Sequence, residues 1–261
     1  PYVGKKYGEI WGYKVDGLFR TDEEAAEYAS RIDLSTVAAG YYSATGAYGK
    51  GVRAGDIKYL DLNGDNIVNG GKGTLEDPGD RRVIGNSSPR YQYGATLNFS
   101  WYGFDVSVFV QGIGRLDWYP GADNLRFWGP YCRPYATFIP KNFMSRVWSE
   151  ENTDAYFPRA RAYTSLNSTQ GTAYYTNDRY LQNLAYCRLK NLTIGYTIPR
   201  RLTSKVGIKE CRIYFSGENL ATWSALESDF LDPEQAAADS DKKSNVYPWC
   251  KTYSVGLNLT F

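Results

Sequence analysis

The sequence predicts an all-β fold: long antiparallel strands of a large transmembrane β-barrel, with long loops on one side. Three observations predict it. Segments of about ten residues alternate between bulky apolar and small polar residues, which is the length of a tilted strand across a bilayer. Their polar sides carry Ser, Thr, Asn, Gly and Gln, where a soluble sandwich would carry charge. The connections are lopsided, short on one side and long on the other, as in outer-membrane barrels. A soluble sandwich is the weaker alternative on pattern alone.

Along the chain, residues 1–90 read as an extracellular loop region and 91–261 as five barrel strands with their loops. The chain opens on Pro1, without Met and without a signal-peptide pattern, and PYVGKKYGEIWGY reads as the middle of something longer. Glu23, Glu24 and Glu27 follow Thr21-Asp22, a plausible helix cap, and read as a solvated helix face.

Asp61, Asn63, Asp65, Ile67 and Asn69 have the 1-3-5-7-9 spacing of a calcium loop. Oxygens at alternate positions can converge on one hard cation, with the Ile67 carbonyl among them. Asn66 stands where such loops carry Gly, but Asn tolerates a left-handed backbone. Lys72, at the twelfth position, cannot ligate, so Asp80 is the candidate to replace it. The competing reading is an Asx-rich turn closed by its own hydrogen bonds.

Tyr91–Trp101 and Phe104–Gly112 alternate on both sides of Tyr102-Gly103, a strong hairpin signal in which only Phe109 breaks the pattern. A second hairpin is expected from LKNLTIGYTIP to CRIYFSGENLATW, joined by a basic turn with Arg200, Arg201 and Lys205. Leu192, Ile194, Tyr196 and Ile198 share one side of its first strand. A last strand carries Tyr253, Val255, Leu257, Leu259 and Phe261 at alternate positions. Five strands cannot close a barrel, which takes about eight, so the chain is expected to be part of a larger one.

The long connection 115–183 is dense in aromatics: Trp118, Tyr119, Phe127, Trp128, Tyr131 and Tyr135. Two readings stand side by side. Exposed, these rings would stack on sugars or contact a partner protein. Buried, they would form a small core that keeps the loop folded.

Composition narrows the function. A net charge of +2 makes no case for nucleic acid. The absence of His removes Ser–His–Asp and Cys–His catalysis. The Asp residues cluster in turns, so no positioned carboxylate pair marks a glycosidase. No enzyme activity and no cofactor beyond a structural calcium are expected.

Five stretches in order carry a resemblance: GDIKYLDLNGDNIVNG (55–70), DRRVIGNSSPRYQYGATLNFSWYGFDVSVFVQG (80–112), YCRLKNLTIGYTIP (186–199), RIYFSGENLATW (212–223) and TYSVGLNLTF (252–261), preceded by IWGYKVDGLFRTDEEAAEY (10–28). Together they resemble the C-terminal part of the SusC/RagA family of TonB-dependent outer-membrane transporters of Bacteroidetes. The resemblance implies a 22-stranded barrel in the bacterial outer membrane, an N-terminal plug, a TonB-contacting segment and a SusD-like lipoprotein lid. It implies energised uptake of glycans or peptides. The plug and the TonB-contacting segment lie outside this sequence. The last strand, Tyr253 to Phe261, resembles the signal read by the barrel-assembly machinery. A soluble extracellular module that binds glycan or protein is the alternative function.

Overall fold

A computed structural model describes residues 4–42, 51–132, 139, 141–161, 166, 171–228, 231–236 and 249–261. The chain divides into two compact units. The first draws on Pro1–Ser88 and Asp117–Gln182, and the second on Pro89–Leu116, Asn183–Ala236 and Val246–Phe261. The aromatic connection thus falls in the same compact unit as the N-terminal region.

In the first unit, β1 (Glu9–Tyr13) and β2 (Val15–Leu18) are followed by helix α1 (Asp22–Arg31), β3 (Ile57–Tyr59) and β4 (Arg81–Asn86). β1 pairs with β4 and β2 with β3, both antiparallel. The expected cap forms: Thr21 Oγ1 accepts from the Glu24 N–H at 3.1 Å, satisfying one of the helix's orphan donors. Asp22, Glu23 and Glu24 occupy the first turn and Arg31 the last, charges that complement the helix dipole.

The reason 117–182 joins this unit is visible in its contacts. Tyr59 Oη donates to the Thr172 carbonyl. The Tyr13 and Tyr175 rings meet edge to face at 6.0 Å. The Arg159 N–H donates to the Gly55 carbonyl at 2.7 Å. Phe19, Leu34, Val37, Ile57, Val68, Phe127, Trp128, Tyr131 and Tyr180 are all buried.

The second unit is one five-stranded antiparallel sheet: β5 (Arg90–Trp101), β6 (Phe104–Arg115), β7 (Tyr186–Thr197), β8 (Glu210–Ser224) and β9 (Thr252–Thr260). They lie side by side in the order β9-β8-β7-β6-β5. The expected hairpin turn is tight, with Trp101 paired to Phe104. Tyr102 and Gly103 both have positive φ, 47° and 88°, as a two-residue turn matched to strand twist requires. β7 and β8 are joined by the helical turn Arg200–Thr203 and by Gly207 at φ 77°. The strands are 12, 12, 12, 15 and 9 residues long, enough to cross a bilayer.

Two irregularities interrupt the ladder. β8 shifts register against β7 between Glu218 and Ala221, and β6 shifts between Phe109 and Val110. Lys190 is thereby left between the paired residues Leu189 and Asn191 on β7.

Candidate functional site: the two faces of the wall

The register turns period-2 alternation into two continuous surfaces. One row runs Phe99, Val106, Ile194, Phe215, Val255 across all five strands. The next rows on the same face are Leu97, Val108, Leu192, Gly217, Tyr253 and Trp101, Phe104, Tyr196, Ile213, Leu257. This face is apolar yet open: Leu97 is 70% exposed, Phe99 61% and Val255 79%. Water would penalise so large an apolar patch, and lipid would not. Aromatics rim it, with Tyr91, Tyr93 and Trp223 toward the long loops and Trp101, Tyr102 and Phe104 at the tight turn. From Tyr93 to Trp101 is about 27 Å of strand, or about 20 Å of depth at a ~40° tilt, near the apolar band of such barrels.

The opposite face is polar. One row runs Asn98, Ser107, Thr193, Ser216, Ser254, with the Thr193 and Ser216 hydroxyls 3.3 Å apart. Toward the tight turn, Arg212 of β8 reaches over Gly195 of β7 to Asp105 of β6, Nε to Oδ1 at 2.9 Å. Tyr214 lies over Gly256, where any Cβ would collide with its ring. Phe109, the break in the sequence pattern, sits on this polar face next to Gly94.

Toward the long loops, Arg188 pairs in register with Gln111 and Thr222. Counted back from Leu192 by twos, Arg188 and Lys190 would fall on the apolar face. The extra residue at Lys190 inverts the phase, so both reach the polar face instead. An Arg or Lys facing lipid costs about 2–4 kcal/mol at the midplane and about 0–1 kcal/mol near the interface, where the neighbouring Tyr93 and Trp223 row puts these two. The bulge removes that cost, and it could not be seen in the sequence because it exists only relative to the neighbouring strands.

In the first unit, the aromatic residues considered for ligand or partner contact are placed inside. Phe127, Trp128 and Tyr131 are at most 2% exposed, and Trp118 and Tyr119 are also buried. The expectation of an exposed stacking surface is corrected for these five: they form the unit's own core. Tyr135 lies outside the described residues. The Trp128 ring meets Tyr180 edge to face at 5.0 Å. Asn177, fully buried, donates from Nδ2 to Tyr119 Oη at 3.2 Å and to the Tyr175 carbonyl at 2.8 Å. Burial pushes the Tyr59 and Tyr119 phenols well above the usual range, so both are neutral donors. Asn177 and Tyr180 carried no sequence signal, since a polar residue in a loop is expected at the surface.

Asp56, also buried, accepts from Arg161 Nη2 at 2.6 Å and from the Arg53 N–H at 2.8 Å. Burial raises its pKa to about 6, with the Arg161 charge opposing.

The loop Asp61–Asn69 closes on its own donors. Asp61 accepts from the N–H groups of Gly64 and Asn66, Asn63 from Asp65, and Asp65 from Ile67. Asn69 Oδ1 accepts from the Gly71 N–H. Asn66 takes the left-handed backbone, φ 64°. Asp80 is buried and bridges the two ends, accepting from Leu62 N–H at 2.7 Å and Asn69 N–H at 2.8 Å. Among the described residues no three His, Cys, Asp or Glu side chains come together in a metal-holding group.

Comparison with known proteins gives a consistent result. No family model matches the chain. It is 28% identical over 215 residues to TonB-dependent receptor P26 of Formosa agariphila, covering 79% of this chain and 20% of that receptor. It is 27% identical over 212 residues to TonB-dependent receptor P3 of the same organism, covering 78% and 19%. The chain thus spans about a fifth of the length of these relatives. Its fold matches the structure of the RagAB peptide transporter with a TM-score of 0.57 at 18% identity, over 97% of this chain and 23% of that one. The RagAB peptide importer in its open-open state matches with a TM-score of 0.54 over the same share of this chain.

Proposed function

We propose that this chain, a relative of TonB-dependent outer-membrane receptors, supplies five wall strands and extracellular loops of an outer-membrane transporter. The observation that carries the proposal is the five-stranded sheet with one open apolar face rimmed by aromatics and one polar face. Such a wall separates lipid from a wet interior. The apolar face weighs against a soluble glycan- or protein-binding module, which would leave that area in water. The work assigned to the chain is passage and not catalysis.

The rest of the barrel and its plug complete the wall. Import is energised through TonB by segments outside this sequence. A SusD-like surface lipoprotein covers the loops. The cargo is a glycan or a peptide, and the likeness to a peptide transporter supports the second. The barrel-assembly machinery reads the chain end through Tyr253, Val255, Leu257 and Leu259 of β9 and Phe261 just beyond it, all exposed. A structural calcium at Asp61, Asn63, Asp65, the Ile67 carbonyl, Asn69 and Asp80 is a secondary proposal. The side-chain oxygens of this set already accept backbone N–H groups, and the Ile67 carbonyl accepts from Asn69 Nδ2 at 3.3 Å, so a cation would compete with these bonds and weak binding, about millimolar, is expected.

The test is an immunoblot of isolated outer membranes, boiled and unboiled, with an antibody against 115–183. A heat-modifiable band several times larger than 29.5 kDa is expected. A soluble band near that mass, absent from membranes, overturns the proposal.

A further inference from the structure

At the long-loop end of the polar face, four charges form one cluster. Arg188 is only 2% exposed. Its Nε donates to Thr222 Oγ1 at 2.9 Å, Nη1 to Glu234 at 2.7 Å, and Nη2 to Asp232. Lys190 Nζ meets both Glu234 oxygens, at 2.8 and 2.7 Å, and lies 4.8 Å over the Trp249 ring. Asp232 also builds the turn that carries it. Its carboxylate accepts from the Glu234 N–H at 3.0 Å, and its carbonyl accepts from Gln235 and Ala236. Leu231 and Ala236 on either side are buried.

We infer that this cluster is a tether, holding the turn 231–236 of the β8–β9 connection against the polar face of the wall as part of the passage lining. The inference rests on reading that face as the barrel interior. Three features of the chain converge on it. The bulge at Lys190 brings two cations to one face, where they repel each other unless matched. The turn supplies two carboxylates, so the cluster is neutral. Arg188 uses its planar fork on two different acceptors of the turn and its Nε on the wall, a geometry Lys cannot reproduce. Buried charge pairs of this kind lose little to salt screening, so the turn stays in place at physiological ionic strength.

Hydrogen exchange on the full-length protein in detergent tests this. In the wild type, the amides of Glu234, Gln235 and Ala236 exchange slowly. In Arg188→Gln they exchange at least about tenfold faster, because removing one partner of a buried pair leaves the others uncompensated. The β7 amides from Ile194 to Thr197 keep their protection. Arg188→Lys restores protection only in part. The variant Glu234→Gln, whose carboxylate, among the described residues, meets only Arg188 and Lys190, leaves both the wall and the Asp232 cap of the turn in place and gives faster exchange in the same direction, and it decides the matter if Arg188→Gln disturbs the sheet. Unchanged exchange of the turn in Glu234→Gln, or fast exchange in the wild type, overturns the tether. The outcome is separable from the transporter reading: a soluble protein would refute the barrel while the exchange comparison still reported on the tether.

Discussion

The guanidinium of Arg212 passes over Gly195 to the carboxylate of Asp105, linking the outer strands of a three-strand stretch across the middle one. The crossing is possible because residue 195 has no side chain. A Cβ there would lie 2.5 Å from both Arg212 Nη2 and Asp105 Oδ1. The glycine on the polar face is therefore a clearance for a charge pair in the wall.

Gly195→Val should destabilise the wall by about 1–3 kcal/mol, the usual cost of overpacking. The check is the temperature at which the compact, unboiled band of the full-length protein converts to the extended one. It should fall for Gly195→Val. It should hold for Gly94→Ala, whose added Cβ meets Phe109 at an ordinary 3.5 Å.

The buried Asp56–Arg161 pair predicts a pH dependence of the first unit. Burial holds the folded pKa of Asp56 at about 6, above its ordinary value of 3.8, so the folded state holds the proton more tightly. This group's stabilising contribution is complete below about pH 4 and is lost as pH rises through 6. Two units correspond to about 3 kcal/mol. Protease resistance of the unit, measured from pH 4 to 7 in wild type and Asp56→Asn, isolates the contribution. The difference between the two should change across that window; a flat difference would show that Asp56 does not titrate there.

Assembly provides a third expectation. Removing Phe261, or replacing it with Ser, should lower the amount of protein in the outer membrane at least several-fold while leaving synthesis unchanged. The exposed edge of β9 offers itself for strand addition, and Phe261, 73% exposed beyond its end, belongs to the proposed signal. Normal membrane levels of the variant would exclude the role.

Calcium should protect the loop Asp61–Asn69 from proteolysis only at millimolar concentration. Asp61→Asn with Asp65→Asn should remove the protection. No protection at any concentration up to about 10 mM would leave the loop as a turn held by its own hydrogen bonds.

Much of the wall was legible in the sequence because strand alternation is local. The side chains of Leu97, Phe99 and Trp101 need only the pleat to share a face, and Tyr102-Gly103 needs only its own backbone to turn. The Thr21 cap and the left-handed Asn66 are local in the same way. The interior of the first unit was not legible. Phe127 and Trp128 read equally well as exposed stacking rings or as core, because burial depends on what packs against them. Those partners, Tyr156, Phe157 and Tyr180, lie well further along the chain. The bulge at Lys190 was hidden for a related reason: an extra residue is extra only relative to β6. The strands, their two faces and the tight turn follow from nearest-neighbour geometry and can be read without the fold. Which aromatics are inside, that 117–182 folds with the N-terminal region, and that Arg188 turns away from the apolar face follow only from contacts between segments far apart in the chain.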